Sequence, residues 1–198
     1  MAKENYHHGN LPQALLRQGL HMLTEYGEEK LSLREVAKHC GVSPAAPYSH
    51  FKNKNDFIQA INNYVMLKLT EELQETEKLY SGKKSLIIEL GLTYVLFFLK
   101  NPNCFSILFS QSNHAEAILF DYQDNANPAF SVLKHAAESI FENFPISEEQ
   151  KHNILLAMWS MVHGLAATVS MPGVAERMQQ DLDTEQRLRD ILTAFQQS

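Results

Sequence analysis

Apolar residues recur every three or four positions along almost the whole chain. This spacing puts them on one face of an α-helix, whereas a half-buried strand alternates apolar and polar residues. No stretch of strand length between turn residues shows such alternation. The pattern therefore predicts an all-α protein of about nine helices.

Glycine, proline and asparagine mark where the predicted helices begin and end. The first helix should begin at the N-cap candidate Asn10 and end at Gly27, and a long helix should run from Lys54 to about Lys78. The other main helices are predicted at about 33–39, 84–100, 102–113, 127–144, 148–171 and 183–197.

Two short helices are predicted on either side of a tight turn. Ser32 and Glu35 form a capping-box pattern that starts the first of them. Gly41 should end it, because glycine readily adopts the positive φ of a tight turn. The second should open at Pro44, with Ser43 as its N-cap. This is the spacing of a helix-turn-helix, although an ordinary helical corner gives the same pattern.

Charge is unevenly distributed along the chain. The formal net charge is −6, but residues 1–60 carry +1 and the remaining residues carry −7. Contacts to phosphate need basic side chains. The N-terminal part can therefore present a modest basic face, and the acidity lies behind it.

Motifs and composition exclude several classes of protein. Cys40 and Cys104 form no C-x-x-C pair, and the chain has no nucleophile elbow, H-E-x-x-H motif or Gly-rich phosphate loop. The most apolar stretch, residues 86–99, is shorter than the roughly 20 residues that span a bilayer. No secretion signal precedes it. We expect a cytoplasmic protein that is not an enzyme, with no metal, cofactor or membrane partner.

Residues 42–54 carry a more specific pattern. A Val-Ser pair precedes two aromatic residues three positions apart and then a lysine; these are Val42, Ser43, Tyr48, Phe51 and Lys54. In this pattern the segment resembles the recognition helix of the TetR family of transcriptional regulators. Residues 6–11 also resemble the N-terminal arm of one TetR subgroup.

The resemblance implies two domains. A three-helix helix-turn-helix domain at residues 1–55 would bind a double-stranded DNA operator, and a helical domain at residues 56–198 would bind a small-molecule effector and form a homodimer. The expected function is a repressor that binds a palindromic operator and is released by the effector. The alternative is a helical interaction or sensor protein of the same fold without specific DNA binding.

The resemblance also implies which residues contact DNA. Tyr48, His50 and Lys54 would hold phosphates, and the buried Phe51 would fix the recognition helix. Each of three residues also has an alternative interpretation when it is considered alone. Tyr48 could pack in the core, His50 could be an ordinary surface residue, and Ser32 could serve only as a helix cap. Alanine side chains offer no bidentate base contacts, so base reading should be thin. The candidate DNA-binding residues are Ser32, Arg34, Lys38, Ser43, Pro44, Ala45, Ala46, Tyr48, His50 and Lys54.

A second signature lies in the C-terminal region. Trp159, His163 and Gly164 resemble the Trp…His-Gly signature of the WHG-type ligand-binding domain of part of the TetR family. Trp159 and His163 are four residues apart, so their rings either line one cavity or stack within ordinary core. An aromatic-rich zone precedes them and is open to the same two interpretations. The candidate ligand-binding residues are Tyr94, Phe97, Phe98, Phe105, Phe109, Trp159 and His163.

The last predicted helix has one apolar stripe, formed by Leu188, Ile191, Leu192 and Phe195. The stripe covers either the chain's own core or a second subunit. The resemblance implies the second, with the last two predicted helices pairing across a two-fold axis as a four-helix bundle.

Overall fold

The computed structural model describes residues 11–109, 127–142 and 144–194. These residues form nine α-helices and two short 3₁₀ helices, without a strand, and this confirms the all-α prediction. The 3₁₀ helices are Glu28–Lys30 and Ala46–Ser49. The α-helices are α1 (Leu11–Tyr26), α2 (Leu33–His39), α3 (Lys54–Tyr80), α4 (Leu86–Lys100), α5 (Pro102–Phe109), α6 (Pro128–Phe141), α7 (Glu148–Val169), α8 (Val174–Gln180) and α9 (Thr184–Ala194).

The chain divides into two compact units, Met1–Val65 and Met66–Ser198. The division falls inside α3, whereas the domain boundary predicted after residue 55 lies at the start of that helix. The predicted N-terminal arm, the N-cap Asn10 and the stripe residue Phe195 lie outside the described residues.

The first unit packs around the beginning of α3. Leu15, Phe57 and Ile61 are fully buried there. The contact with α1 is close, since a Cβ atom added at Gly19 would lie 2.6 Å from Cε1 of Phe57 and 2.9 Å from Cδ1 of Ile61. Only glycine leaves room for those two side chains.

The second unit is built around α4, which contacts α5, α6, α7, α8 and α9. Most of its side chains are buried, as its long apolar run predicts. It also buries one carboxylate, Glu89, which forms an ion pair with Arg189 of α9. A buried carboxylate is stable only when it is paired in this way, so the pair fixes how α9 lies on α4.

Two elements differ from the sequence prediction. The third helix is not an α-helix beginning at Pro44 but the 3₁₀ helix Ala46–Ser49. The prediction also missed α8, because the residue pair Pro172-Gly173 indicates a break between helices. In the structure Gly173 has a positive φ of 78°. Gly173 in fact serves as the N-cap of α8.

Among the described residues, no single helix is long and apolar enough to cross a membrane. Two pairs of successive helices reach that length and composition only when joined across a sharp bend, α4 with α5 and α7 with α8.

Candidate DNA-binding surface and interior cavity

Ser32 caps the N-terminus of α2. Its backbone is extended, and its Oγ accepts a hydrogen bond from the main-chain N–H of Glu35 at 3.2 Å. The Glu35 carboxylate lies 3.6 Å from Nζ of the exposed Lys38. The Ser32 N-cap half of the predicted capping box is confirmed, and Ser32 is half-buried, so its hydroxyl remains near the surface.

The turn after α2 is a Schellman motif. Gly41 has φ 68°, its N–H donates to the carbonyl of Lys38, and the N–H of Val42 donates to the carbonyl of Ala37. The Sγ of the buried Cys40 donates to the carbonyl of Ala14 at 3.8 Å and ties the turn to α1. The predicted role of Gly41 is therefore confirmed.

Pro47 explains why the next element is a 3₁₀ helix. An α-helix that began at Pro44 would need a bond from the N–H of residue 47 to the carbonyl of Ser43, and proline has no N–H. The N–H of Ala46 takes that carbonyl instead at 3.0 Å, and Tyr48 donates to Ala45 at 3.1 Å. Ala45 holds the N-cap position predicted for Ser43, without a side-chain cap.

The segment around the 3₁₀ helix Ala46–Ser49 has one buried side and one exposed side. Pro47 is buried, and Phe51 is 7% exposed with its ring against Phe57 at a centroid distance of 4.8 Å. The predicted burial of Phe51 is thereby confirmed. Tyr48 is 50% exposed and His50 is exposed as well, so neither contributes to the core.

The ten candidate DNA-binding residues all have solvent-accessible side chains. Seven of them are exposed: Arg34, Lys38, Ser43, Pro44, Ala45, Tyr48 and His50. Three are half-buried: Ser32, Ala46 and Lys54.

Lys54 has a contact that the sequence did not indicate. Its Nζ donates to the carbonyl of Glu28, in the first 3₁₀ helix, at 2.5 Å. An ammonium group has three donors, so two remain for other acceptors. Lys54 thus connects the beginning of α3 to the 3₁₀ helix before α2.

The predicted aromatic zone of the second unit forms a ring cluster. Phe98 contacts Phe97, Phe105, Phe109 and Tyr94, with centroid distances of 5.1–5.9 Å and edge-on or tilted geometry. Such arrangements are favourable between aromatic rings. The phenylalanine rings in this cluster therefore pack mainly against one another, as core residues do.

His163 joins this cluster through one hydrogen bond. Its Nδ1 lies 2.9 Å from the hydroxyl of Tyr94, and its ring stacks on Trp159 at 5.7 Å and 21°. Of the two arrangements that the sequence left open, the rings adopt the stacked one. Burial lowers the pKa of His163 and raises that of Tyr94, so both groups are held in their neutral forms.

A cavity of about 340 Å³ lies beside the cluster, between α3, α4, α6, α7 and α9. Of the seven candidate ligand-binding residues, Tyr94 and Trp159 line it; Phe97, Phe98, Phe105, Phe109 and His163 are not among its lining residues. The lining is otherwise mostly aliphatic and includes Ile87, Ile88, Leu133, Met158, Met161 and Val162. In the sequence these aliphatic residues differ from others only in their spacing, which places them on the inward faces of α4, α6 and α7.

The sequence matches two family models. Residues 15–61 match the model of bacterial regulatory proteins of the tetR family, and residues 87–195 match that of the tetracyclin repressor-like C-terminal domain. The chain belongs to the TetR family. The resemblance drawn from the helix-turn-helix residues is thereby confirmed.

Solved structures share the TetR fold over nearly the whole chain. A protein of unknown function from Rhodococcus sp. RHA1 is 23% identical, with a TM-score of 0.69 over 96% of this chain and 97% of its own. A TetR-like transcriptional regulator from the same organism is 16% identical, with a TM-score of 0.60 and coverage of 91% and 92%. A TetR variant from Acinetobacter baumannii AYE in complex with minocycline is 16% identical, with a TM-score of 0.55 and coverage of 93% and 96%.

Proposed function

We propose that this TetR-family regulator is a repressor that binds a palindromic operator as a homodimer and is released by a small-molecule effector. The observation that carries the proposal is the exposed surface of the turn after α2. Tyr48 in the 3₁₀ helix and His50 directly after it are exposed, whereas Pro47 and Phe51 of the same segment are buried. Exposed donors on a rigid turn suit contacts to phosphates, which set the register of a helix-turn-helix on DNA.

Few side chains on this surface can form hydrogen bonds to base edges. Ala45 and Ala46 offer methyl groups, which can contact thymine but cannot accept or donate hydrogen bonds. Arg34 and Lys38 are exposed on α2 and would add charge beside the turn. We propose that the operator is recognised largely through phosphate positions and DNA shape.

The homodimer would form through α7 and α9. Both helices pack on α4 with their inner faces, and Ile154 and Ile191 remain 39% and 38% exposed. A symmetric dimer would cover such residues and place two helix-turn-helix units on successive major grooves. The effector would bind in the second unit and lower operator affinity by thermodynamic linkage.

The proposal is tested by titrating the protein onto the intergenic DNA upstream of its own gene, at several salt concentrations. Tyr48→Ala should weaken binding about 10- to 100-fold, because a hydrogen bond to a charged group contributes about 1.5–3 kcal/mol. Wild-type affinity should fall steeply as salt rises.

Tyr26→Ala is the matched control. Tyr26 is 53% exposed in the same unit, at the end of α1, and is not one of the candidate DNA-binding residues. It should leave the affinity unchanged. Equal losses in both variants, or none in Tyr48→Ala, would contradict the assignment of the surface. Selective binding to no fragment would favour the alternative, a sensor of the same fold without specific DNA binding.

A further inference from the structure

We infer that the cavity of the second unit binds a compact, uncharged, largely apolar molecule. This inference rests on the effector-binding role proposed above and specifies the chemical class of the effector. At about 30 Å³ for a water-sized group, the cavity of about 340 Å³ holds a molecule of about ten non-hydrogen atoms.

The described lining carries no formal charge. Seventeen residues line the cavity, and only Tyr94 and Trp159 among them have a polar group on the side chain. The rest are aliphatic, aromatic or thioether side chains and one glycine. Such a surface favours apolar ligands through the area that it removes from water.

A charged ligand would have no partner in this lining. Glu89 lies on α4 between the lining residues Ile88 and Leu90, but its carboxylate is already paired with Arg189. An ion that leaves water without a compensating partner is strongly disfavoured. The site should therefore discriminate by charge more than by shape.

Two lining residues carry a polar group, the hydroxyl of Tyr94 and the indole N–H of Trp159. The Tyr94 hydroxyl already shares a hydrogen bond of 2.9 Å with Nδ1 of His163, which is not a lining residue. The lining thus offers a ligand few polar contacts, and the binding energy comes mainly from apolar area.

The cavity is open to the surface beside α6. Ile140 lines the cavity and is 39% exposed, and α6 is not one of the two proposed dimer helices. A long chain with a charged end would leave that end in water at this opening, whereas a compact ion would not. Compact isosteres therefore give the sharper test.

Trp159 reports on the cavity directly. It is the single tryptophan of the chain, is 6% exposed and lines the cavity. Its emission can be followed in the wild-type protein without DNA. The result is therefore independent of whether the operator-binding proposal holds.

The experiment titrates wild-type protein with adamantanol, adamantylammonium and adamantanecarboxylate at neutral pH, with Trp159 emission as the readout. Adamantanol should shift the emission saturably, and the two ions should bind at least about 100-fold more weakly. Equal affinity of either ion, or no response to adamantanol up to its solubility, would overturn the inference.

A pair of variants locates the binding. Gly91 lines the cavity, and a Cβ atom there would lie 3.4 Å from Val162 and 3.5 Å from Leu192, so Gly91→Ala narrows the space without a clash. It should weaken adamantanol binding several-fold. Gly164→Ala adds the same methyl group to α7 where nothing lies within 4 Å, and it should not change the affinity. Equal responses of the two variants would place the ligand outside this cavity.

Discussion

The first unit is tightly packed where α1 meets α3, whereas the second contains a cavity of about 340 Å³. In the first, α1 and α3 approach so closely that Gly19 has no room for a methyl group beside Phe57. In the second, Gly91 has such room beside Val162 and Leu192. The same residue type in a helix interior thus marks a tight contact in one unit and a cavity wall in the other. Packing density, rather than residue type, separates the unit that presents a rigid surface from the unit that has space for a ligand.

Truncating one isoleucine in each unit to alanine should give the largest difference in the free energy of unfolding between the two units. Ile61 is fully buried in the first unit, so Ile61→Ala should lower the free energy of unfolding by about 2–5 kcal/mol. Ile88 faces the cavity, so it has fewer contacts to lose, and Ile88→Ala should lower it by less than about 2 kcal/mol. Urea unfolding followed by circular dichroism, together with Trp159 emission for the second unit, measures both. Equal losses would show that the second unit is as tightly packed as the first.

Adding a methyl group should give effects of opposite sign. Gly19→Ala should destabilise the protein by about 1–3 kcal/mol, because Phe57 and Ile61 must move. Gly91→Ala should stabilise it by up to about 1 kcal/mol, because alanine favours a helix and the new contacts are ordinary ones. Thermal unfolding of both variants, with Gly164→Ala as the reference for helix propensity alone, checks the signs. A stabilising Gly19→Ala would remove the contrast between the units.

A smaller effect should appear in the pH dependence of the second unit. Burial lowers the pKa of His163, so the folded state binds fewer protons than the unfolded state around and below the ordinary histidine value of about 6.5. The free energy of unfolding should therefore decrease as the pH falls from 7 towards 5. His163→Gln should make this decrease shallower, and the same change at the exposed His135 serves as the control. An unchanged slope in His163→Gln would show that this ring contributes nothing to the acid sensitivity.

Local signals made the first unit more predictable than the second. The Ser32 cap, the positive φ of Gly41 and the end of α1 at Gly27 each depend on neighbouring residues, and each was predicted. The 3₁₀ form of the recognition element was not, although the missing N–H of Pro47 causes it. The effect of the missing N–H depends on where the helix begins. The Ser43-Pro44 pair predicts a start at Pro44, whereas the observed N-cap is Ala45.

The cavity could not be located from the sequence, because its lining residues lie far apart in the chain. The sequence from Tyr94 to Phe109 contains five aromatic residues, and the prediction named them, with Trp159 and His163, as candidates for a ligand site or for ordinary core. In the structure most of these rings pack on one another around Phe98, and the space opens beside aliphatic residues of α4, α6 and α7. Apolar residues of either kind satisfy the same helical spacing, so only tertiary packing separates core from cavity.

The turn that carries Ala45 makes the proposed DNA surface suitable for redesign. The turn uses the Ala45 carbonyl, which accepts from Tyr48, while its methyl group is exposed and takes no part in holding Pro47 or Phe51. A longer side chain at position 45 can therefore be introduced without changing the buried residues that hold the turn. Asparagine, glutamine or arginine there would add the hydrogen bonds to base edges that alanine lacks. A library at this position would then test whether base contacts can be added to the proposed phosphate contacts.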